Sequence, residues 1–425
     1  MLLSGFEAYM PSRANHGIYT NFCIAAEYNI KLDLNKVTKA LKILCLKFPH
    51  FSLTVGDEKL YTSEYIKEYD LLNCIDVITN STPEKILAKY NNVKFSYSDK
   101  TPLWKLVLEL ESNTVFFFMD HTYFDGTAGK NFHIEFSKAL DVKPSNDDDE
   151  STIINTQGLF NYNYPNATKM MNFKPRDIEP KPMEDIARPI IDPELMKKPM
   201  WNHNSTLFHL SKEQTNKLVN FSRDNGFKLT SLLNSIGSKA IISAFPESST
   251  PKSDMKFRSR TAINTRYKVE STPFNDIITT FGLFISRLSN DTDFQSIEDG
   301  EIIEMSKNFQ KYLSENKESA SEASEYLETQ ALKDRSFIDK SLENLKENNG
   351  KPNISFVISN LGMISDEKIK TVYFDQPMAG AVFAILLISS SNSGATFNLA
   401  SHRAIPKEVY NNYVTNFQTL INSFL

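Results

Sequence analysis

The sequence predicts a mixed α/β protein of two similar lobes with a site between them. Three observations carry this. The chain has 425 residues, too many for one ordinary core. Mixed strand and helix signals run to about residue 140 and begin again after about residue 200. Between them lies a segment rich in proline and acidic residues. The expected division is a first lobe over 1–140, a crossover over 141–200 and a second lobe over 201–425.

The first lobe opens with β-rich, partly alternating sequence from Ile18 to Ile30. Asp33 suits the cap of a helix whose apolar positions, Leu34, Val37, Leu41, Leu44 and Phe48, follow helical spacing. Pro49 ends it. A short helix is expected after Pro83. Pro102–Leu110 and Thr114–Met119 read as two strands of an antiparallel hairpin turning at Ser112-Asn113. A helix from about Thr127 to Leu140 follows.

Residues 141–200 hold the acidic run Asn146-Asp-Asp-Asp-Glu150 and prolines at 175, 180, 182, 189, 193 and 199. Both features oppose regular structure.

The second lobe restarts with a strand at Ser205–Leu210. Ser211-Lys-Glu-Gln214 is a capping-box pattern for a helix ending near Gly226. Thr230 is expected to cap another helix. Met255–Arg266 and Ile277–Leu288 read as strands, and residues 294–348 as polar helices. Strands recur at Ile354–Ser359, Thr371–Phe374, Ala381–Ser389 and Ala395–Ala400. An amphipathic helix from Lys407 to Phe424 closes the chain. Its Val414, Phe417, Ile421 and Phe424 read as a core-packing face. A peripheral contact with an endoplasmic-reticulum or lipid-droplet surface is the alternative reading of that face.

Composition narrows the function. Apolar residues make up 40% and aromatics 12%, enough for sizeable cores. A net charge of −5, from 47 basic and 52 acidic residues, argues against general nucleic-acid binding. Cys23, Cys45 and Cys74 show no CxxC or Cys/His metal spacing, which points to a reduced, cytoplasmic setting. The apolar run from Ala381 to Ile388 is too short to span a bilayer. There is no G-x-S-x-G elbow, P-loop, G-x-G-x-x-G or zinc signature.

The chemistry concentrates in His121-Thr-Tyr-Phe-Asp125-Gly126. An apolar strand delivers a histidine to its end, an aspartate follows four residues later, and a glycine opens a helix. A histidine so placed suits a general base, because its pKa lies near neutrality. The bland reading is a core histidine with Asp125 capping the next helix. A metal site with His133 as third ligand fits no standard ligand spacing. Alternation puts Arg258, Arg260, Asn264 and Arg266 on one face. Arg266 is the first candidate to pair with Asp125 and Arg260 the second; an ordinary solvated strand edge is the competing reading. Ser359 and Asn360 end a strand beside Gly362 and are candidates to line a cleft or orient a carbonyl. Phe281-Gly-Leu-Phe284 reads as a glycine within a strand.

His121-Thr-Tyr-Phe-Asp125-Gly126 resembles the HxxxDG motif of CoA-dependent acyltransferases, the superfamily of chloramphenicol acetyltransferase, plant BAHD enzymes and peptide-synthetase condensation domains. Within it the chain is most similar to fungal alcohol acetyltransferases. Supporting residues are Gly5-Phe-Glu7, Arg13, Tyr19-Thr-Asn-Phe22, Pro102-Leu-Trp104, Asn264-Thr-Arg266 and Ser359-Asn-Leu-Gly362, in the family's order.

The resemblance implies two lobes of the chloramphenicol acetyltransferase type with a tunnel between them. His121 would be the catalytic base, with Asp125 paired structurally to Arg266 and Gly126 leaving room for substrate. Acetyl-CoA would be the co-substrate, with no metal, and a short or medium alcohol the acceptor of a monomeric enzyme. Two other readings keep the motif: acetylation of a hydrophobic amine such as a sphingoid base, and a non-catalytic member binding an acyl ligand or a partner. Asp120 stands where condensation domains carry a second histidine. Phe374-Asp-Gln-Pro-Met-Ala-Gly380 matches the BAHD motif DFGWG poorly, so CoA contacts stay unassigned.

Overall fold

The computed structural model describes the chain except residues 18–20, 58, 92, 98, 143–150, 161–163, 166, 175, 177–202, 246–255, 348–353 and 379–380. Tyr19, Thr20, Gly380, the acidic run over 146–150 and the prolines expected to mark the crossover lie outside the described residues.

The chain begins with helix α1 (Gly5–Asn15), which Ser4 and Glu7 cap reciprocally. Five strands form the first sheet: β1 (Asn21–Tyr28), β2 (Ile75–Ile78), β3 (Trp104–Glu109) and β4 (Thr114–Asp120), with a fifth from far along the chain. Helix α2 (Leu34–Lys47) starts at Asp33, whose carboxylate accepts from the Lys36 amide. The β3–β4 hairpin is antiparallel, as expected. Every residue of β4 is buried, which is why it reads as a continuous apolar run rather than an alternation. Helix α3 (Gly126–Ala139) follows the histidine loop.

The second sheet has six strands. These are β5 (His203–Ser211), β6 (Lys256–Asn264), β7 (Ile285–Asp293), β8 (Ile354–Ile364), β10 (Ala381–Ser390) and β11 (Gly394–His402), in the order β7-β6-β8-β10-β11-β5. The missing number, β9 (Ile369–Asp375), leaves this sheet. It pairs antiparallel with β1, Cys23 opposite Asp375, and completes the first sheet in the order β9-β1-β4-β3-β2. The two sheets therefore do not follow the 1–140 and 201–425 boundaries. Within 141–200, residues 153–155 also pair with the first lobe, at 68–70.

Helices α4 (Lys212–Asp224) and α5 (Leu229–Ile242) pack on the second sheet together with the C-terminal helix over Lys407–Asn422. The Ser211–Gln214 capping box forms. In the C-terminal helix Phe417 and Ile421 are fully buried and Val414 and Phe424 pack on the same core, so this face is a core face. Among the described residues no helix is long and apolar enough to cross a membrane.

Two local expectations change. Residues 277–281 are not strand: they belong to helix α6 (Pro273–Phe281). Their β-branched content suggests a strand. Pro273 at the first helical position and the Thr272 hydroxyl accepting from the Asn275 amide set a helix instead. Phe274, Ile277, Ile278 and Phe281 then fall at helical spacing, and Phe281 packs edge-on against Phe48 and Phe51. Gly282 accordingly caps α6 rather than interrupting a strand. Helix α5 also begins earlier than expected, after Lys228, so Thr230 is inside it.

Candidate active site

His121 follows the last residue of β4 and lines a cavity of about 320 Å³ between the lobes. The loop that carries it is fixed on several sides. Phe124 is fully buried among Phe51 and Phe117. The Tyr123 hydroxyl donates to the Thr54 carbonyl and meets the Ser63 hydroxyl, each at 2.8 Å. Asp120 accepts from the Thr122 amide at 2.7 Å and from the Tyr97 hydroxyl at 3.0 Å. Asp120 is thus spent on the loop's own geometry.

The His121 ring stacks on Phe22 of β1, centroids 4.2 Å apart. Its Nδ1 lies 3.0 Å from the Phe124 carbonyl oxygen. A carbonyl can only accept, so the ring proton sits on Nδ1 and Nε2 is the basic nitrogen. Burial, then the charges of Arg13 and Arg287, push the His121 pKa down to about 3. The imidazole is therefore neutral, with a proton affinity below the near-neutral value expected from the sequence because burial and two guanidiniums disfavour the charged ring.

Asp125 does not orient that ring. Its carboxylate accepts from the Ala128 amide at 2.8 Å, capping α3, and from the Phe284 amide at 2.9 Å. Arg266 supplies both other bonds, Nη1 to Oδ2 at 2.7 Å and Nη2 to Oδ1 at 2.9 Å. Arg266 also donates to the carbonyls of Thr279 and Gly282, each at 2.6 Å, and lies over the Phe284 ring. The guanidinium fork thus ties α3 to the C-terminal end of α6. Arg260, the second candidate, bonds Ser289, and Arg258 pairs with Asp291.

Gly126 lines the cavity beside Leu361. A Cβ there would lie 2.4 Å from Leu361 Cδ2, so the glycine makes room for Leu361 of β8. Ser359 and Leu361 both line the cavity. Asn360 lines it too, but its Nδ2 donates to the Thr230 hydroxyl at 3.1 Å and its Oδ1 accepts from the Gly362 amide at 2.9 Å. Of that pair, Ser359 is the better placed to meet a ligand.

The other expected positions are structural. His133 spends both ring nitrogens, at 3.0 Å each, on the Tyr28 hydroxyl and the Ile24 carbonyl. Among the described residues no three His, Cys, Asp or Glu side chains gather to hold a metal ion. Asp375 of β9 meets Asn91, His203 and Asn398 at the junction of the sheets, while Phe374 and Gln376 reach the cavity.

Sequence reasoning missed Arg287 and gave Arg13 no role, yet both line the cavity with Arg260 and Lys130. The signal for Arg287 lies in the pairing of β6 with β7, which sequence alone does not supply.

A family model described as alcohol acetyltransferase matches residues 3–196. Similar folds occur in several solved structures. One is the TRI3 trichothecene 15-O-acetyltransferase from Fusarium sporotrichioides. It is 14% identical, with a TM-score of 0.70, over 99% of this chain and 94% of that one. The same organism's TRI101, solved with coenzyme A and T-2, is 13% identical with a TM-score of 0.59, over 98% and 96%. The condensation domain of the monacolin K polyketide synthase MokA is 12% identical with a TM-score of 0.61, over 100% and 96%. No curated protein matches the sequence. At these identities the structures establish the two-lobed fold expected from the sequence.

Proposed function

We propose that this chain, whose residues 3–196 match a family model described as alcohol acetyltransferase, is an acyltransferase that acetylates a hydroxyl group using acetyl-CoA. The observation that carries this is His121, neutral, with its Nδ1 proton committed to the Phe124 carbonyl and its ring in the wall of the interlobe cavity. Nε2 takes the proton of the acceptor hydroxyl as that oxygen attacks the thioester carbonyl. The C–S bond breaks as the tetrahedral intermediate collapses. The imidazolium returns its proton to the departing thiolate. No acyl-enzyme is involved. Ser359 is the candidate donor to the oxyanion. Asp125, Arg266 and the aromatic packing of Phe124 hold the loop still.

The charge of the cavity favours a hydroxyl over an amine. Arg13, Lys130, Arg260 and Arg287 line it, and the charge of Asp125 is engaged by Arg266. An ammonium such as that of a sphingoid base would meet like charges there. We further propose a monomeric, cytoplasmic enzyme.

The test is CoA release and product mass for purified protein with acetyl-CoA. The acceptors are ethanol, isoamyl alcohol, 2-phenylethanol and a sphingoid base, with His121→Ala as control. Acetate esters that disappear in the variant support the reading. An amide product alone would overturn it in favour of N-acetylation.

A further inference from the structure

Three guanidiniums share the cavity with His121: Arg13 from α1, Arg260 from β6 and Arg287 from β7. The register of β6 and β7 pairs Arg260 with Ser289 and Ala262 with Arg287. Opposed residues, and residues two apart on one strand, share a face of a sheet. Arg260 and Arg287 are therefore diagonal neighbours on the face that walls the cavity.

Among the described residues their hydrogen-bond and ring contacts are with neutral groups. Arg260 Nε donates to the Ser289 hydroxyl at 3.0 Å, and Arg287 lies 5.5 Å over the Phe6 ring. This differs from Arg258 and Arg266, whose forks are taken by Asp291 and Asp125. Among the described residues Asp125 is the one carboxylate lining the cavity, and its oxygens are already engaged. Burial and the neighbouring guanidiniums pull Arg260 down to about 9 and Arg287 down to about 10. Gathering like charges in a largely buried wall costs energy that a bound anion would offset.

We propose that the acceptor carries an acid group, a carboxylate or a phosphate, whose oxygens seat on Arg260 and Arg287 while its hydroxyl reaches His121. This rests on the acyl-transfer reading above. The acceptor is the better source of the anion than the donor. Arg260 and Arg287 line the same cavity as His121, and Arg287 lowers that ring's proton affinity, so an anion on this pair shares the chamber of the reacting groups. The phosphates of CoA are separated from the thioester by the whole pantetheine arm. An anion in that seat also offsets the positive field on His121, so the base strengthens when the proper acceptor arrives.

The experiment compares ω-hydroxy carboxylic acids of increasing length with their methyl esters, the matching alcohols and the matching phosphomonoesters. Each is assayed with wild type, Arg260→Gln and Arg287→Gln. The expected wild type prefers the acid or the phosphomonoester over the neutral analogue of best length. Either substitution reduces that preference in kcat/KM by tenfold to on the order of a hundredfold. The preferred anion tells carboxylate from phosphate. Equal use of acid and methyl ester by the wild type overturns the proposal and leaves acyl transfer standing. Acetyl-CoA and acetyl-pantetheine are compared as donors in parallel. A variant that raises KM for acetyl-CoA but leaves acetyl-pantetheine and the acid preference unchanged assigns the arginines to CoA phosphate and also overturns it. Calorimetric binding of the hydroxy acid and its methyl ester reads the seat without turnover. Equal affinities there overturn the proposal even if no acceptor reacts, whereas absence of turnover alone counts against acyl transfer.

Discussion

Asp125 and Arg266 stand 141 residues apart in sequence and meet in a two-bond ion pair, while the proton of His121 Nδ1 is held by the Phe124 carbonyl instead. The aspartate of this motif is therefore a joint between the lobes and not a partner of the base. Its side chain is 2% exposed and that of Arg266 is 13% exposed, so breaking the pair leaves a buried charge behind.

Asp125→Asn should lower stability by about 3 kcal/mol or more and lower kcat through the displaced loop. Thermal denaturation beside steady-state kinetics checks this. An unchanged melting temperature and rate would remove the joint from the account. Arg266→Lys keeps the charge and loses the fork, and it should recover only part of both.

His121→Ala should cost on the order of 10²-fold or more in kcat while the melting temperature holds near wild type. A variant that stays active would sink the proposed base. Circular dichroism separates loss of chemistry from loss of fold.

The pH behaviour should separate chemistry from stability. His50 and His121 are pushed down to about 3, and His133 and His402 to about 4, by burial first in every case. Their unfolded values lie near 6.5. Between those limits the unfolded chain binds more protons than the native one, so stability rises with pH and is lost as pH falls below about 6.5. The base itself stays neutral through that window. With a neutral alcohol, acid inactivation should therefore track unfolding followed by circular dichroism. A reversible limb in kcat/KM near pH 6.5 in folded protein would contradict this.

Gly126→Ala should displace Leu361 and cost about 1–3 kcal/mol of stability. Adding Leu361→Ala should restore part of that loss. A Gly126→Ala variant of wild-type stability would show that Leu361 moves aside freely.

The parts of the site that lie close together in sequence are legible there. A buried strand, a histidine at its end and a helix capped by Asp125 need only local patterning, and β4, His121 and α3 follow from it. Alternation offers Arg266 as a candidate for Asp125, but family resemblance is what singles out the pair, because nothing local joins residues so far apart. Alternation alone leaves Arg258 and Arg260 as competitors, and their real partners lie on the antiparallel neighbour β7. Helix α6 was masked by its β-branched residues, whose strand preference yields to a proline, a threonine cap and the burial of Ile278 and Phe281. The departure of β9 from its own sheet has no local sign, since one edge strand reads like another.

That departure bears on how the molecule is made. The sheet begun at residue 21 gains its edge strand only when residues 369–375 arrive. The first lobe cannot finish folding while the ribosome is still making the second, and until then β1 presents an open edge to its surroundings. Synthesis past residue 375 is what allows the lobe bearing His121 to close. A polypeptide cut short before residue 369 would keep the whole histidine motif and still carry an unpaired, aggregation-prone strand.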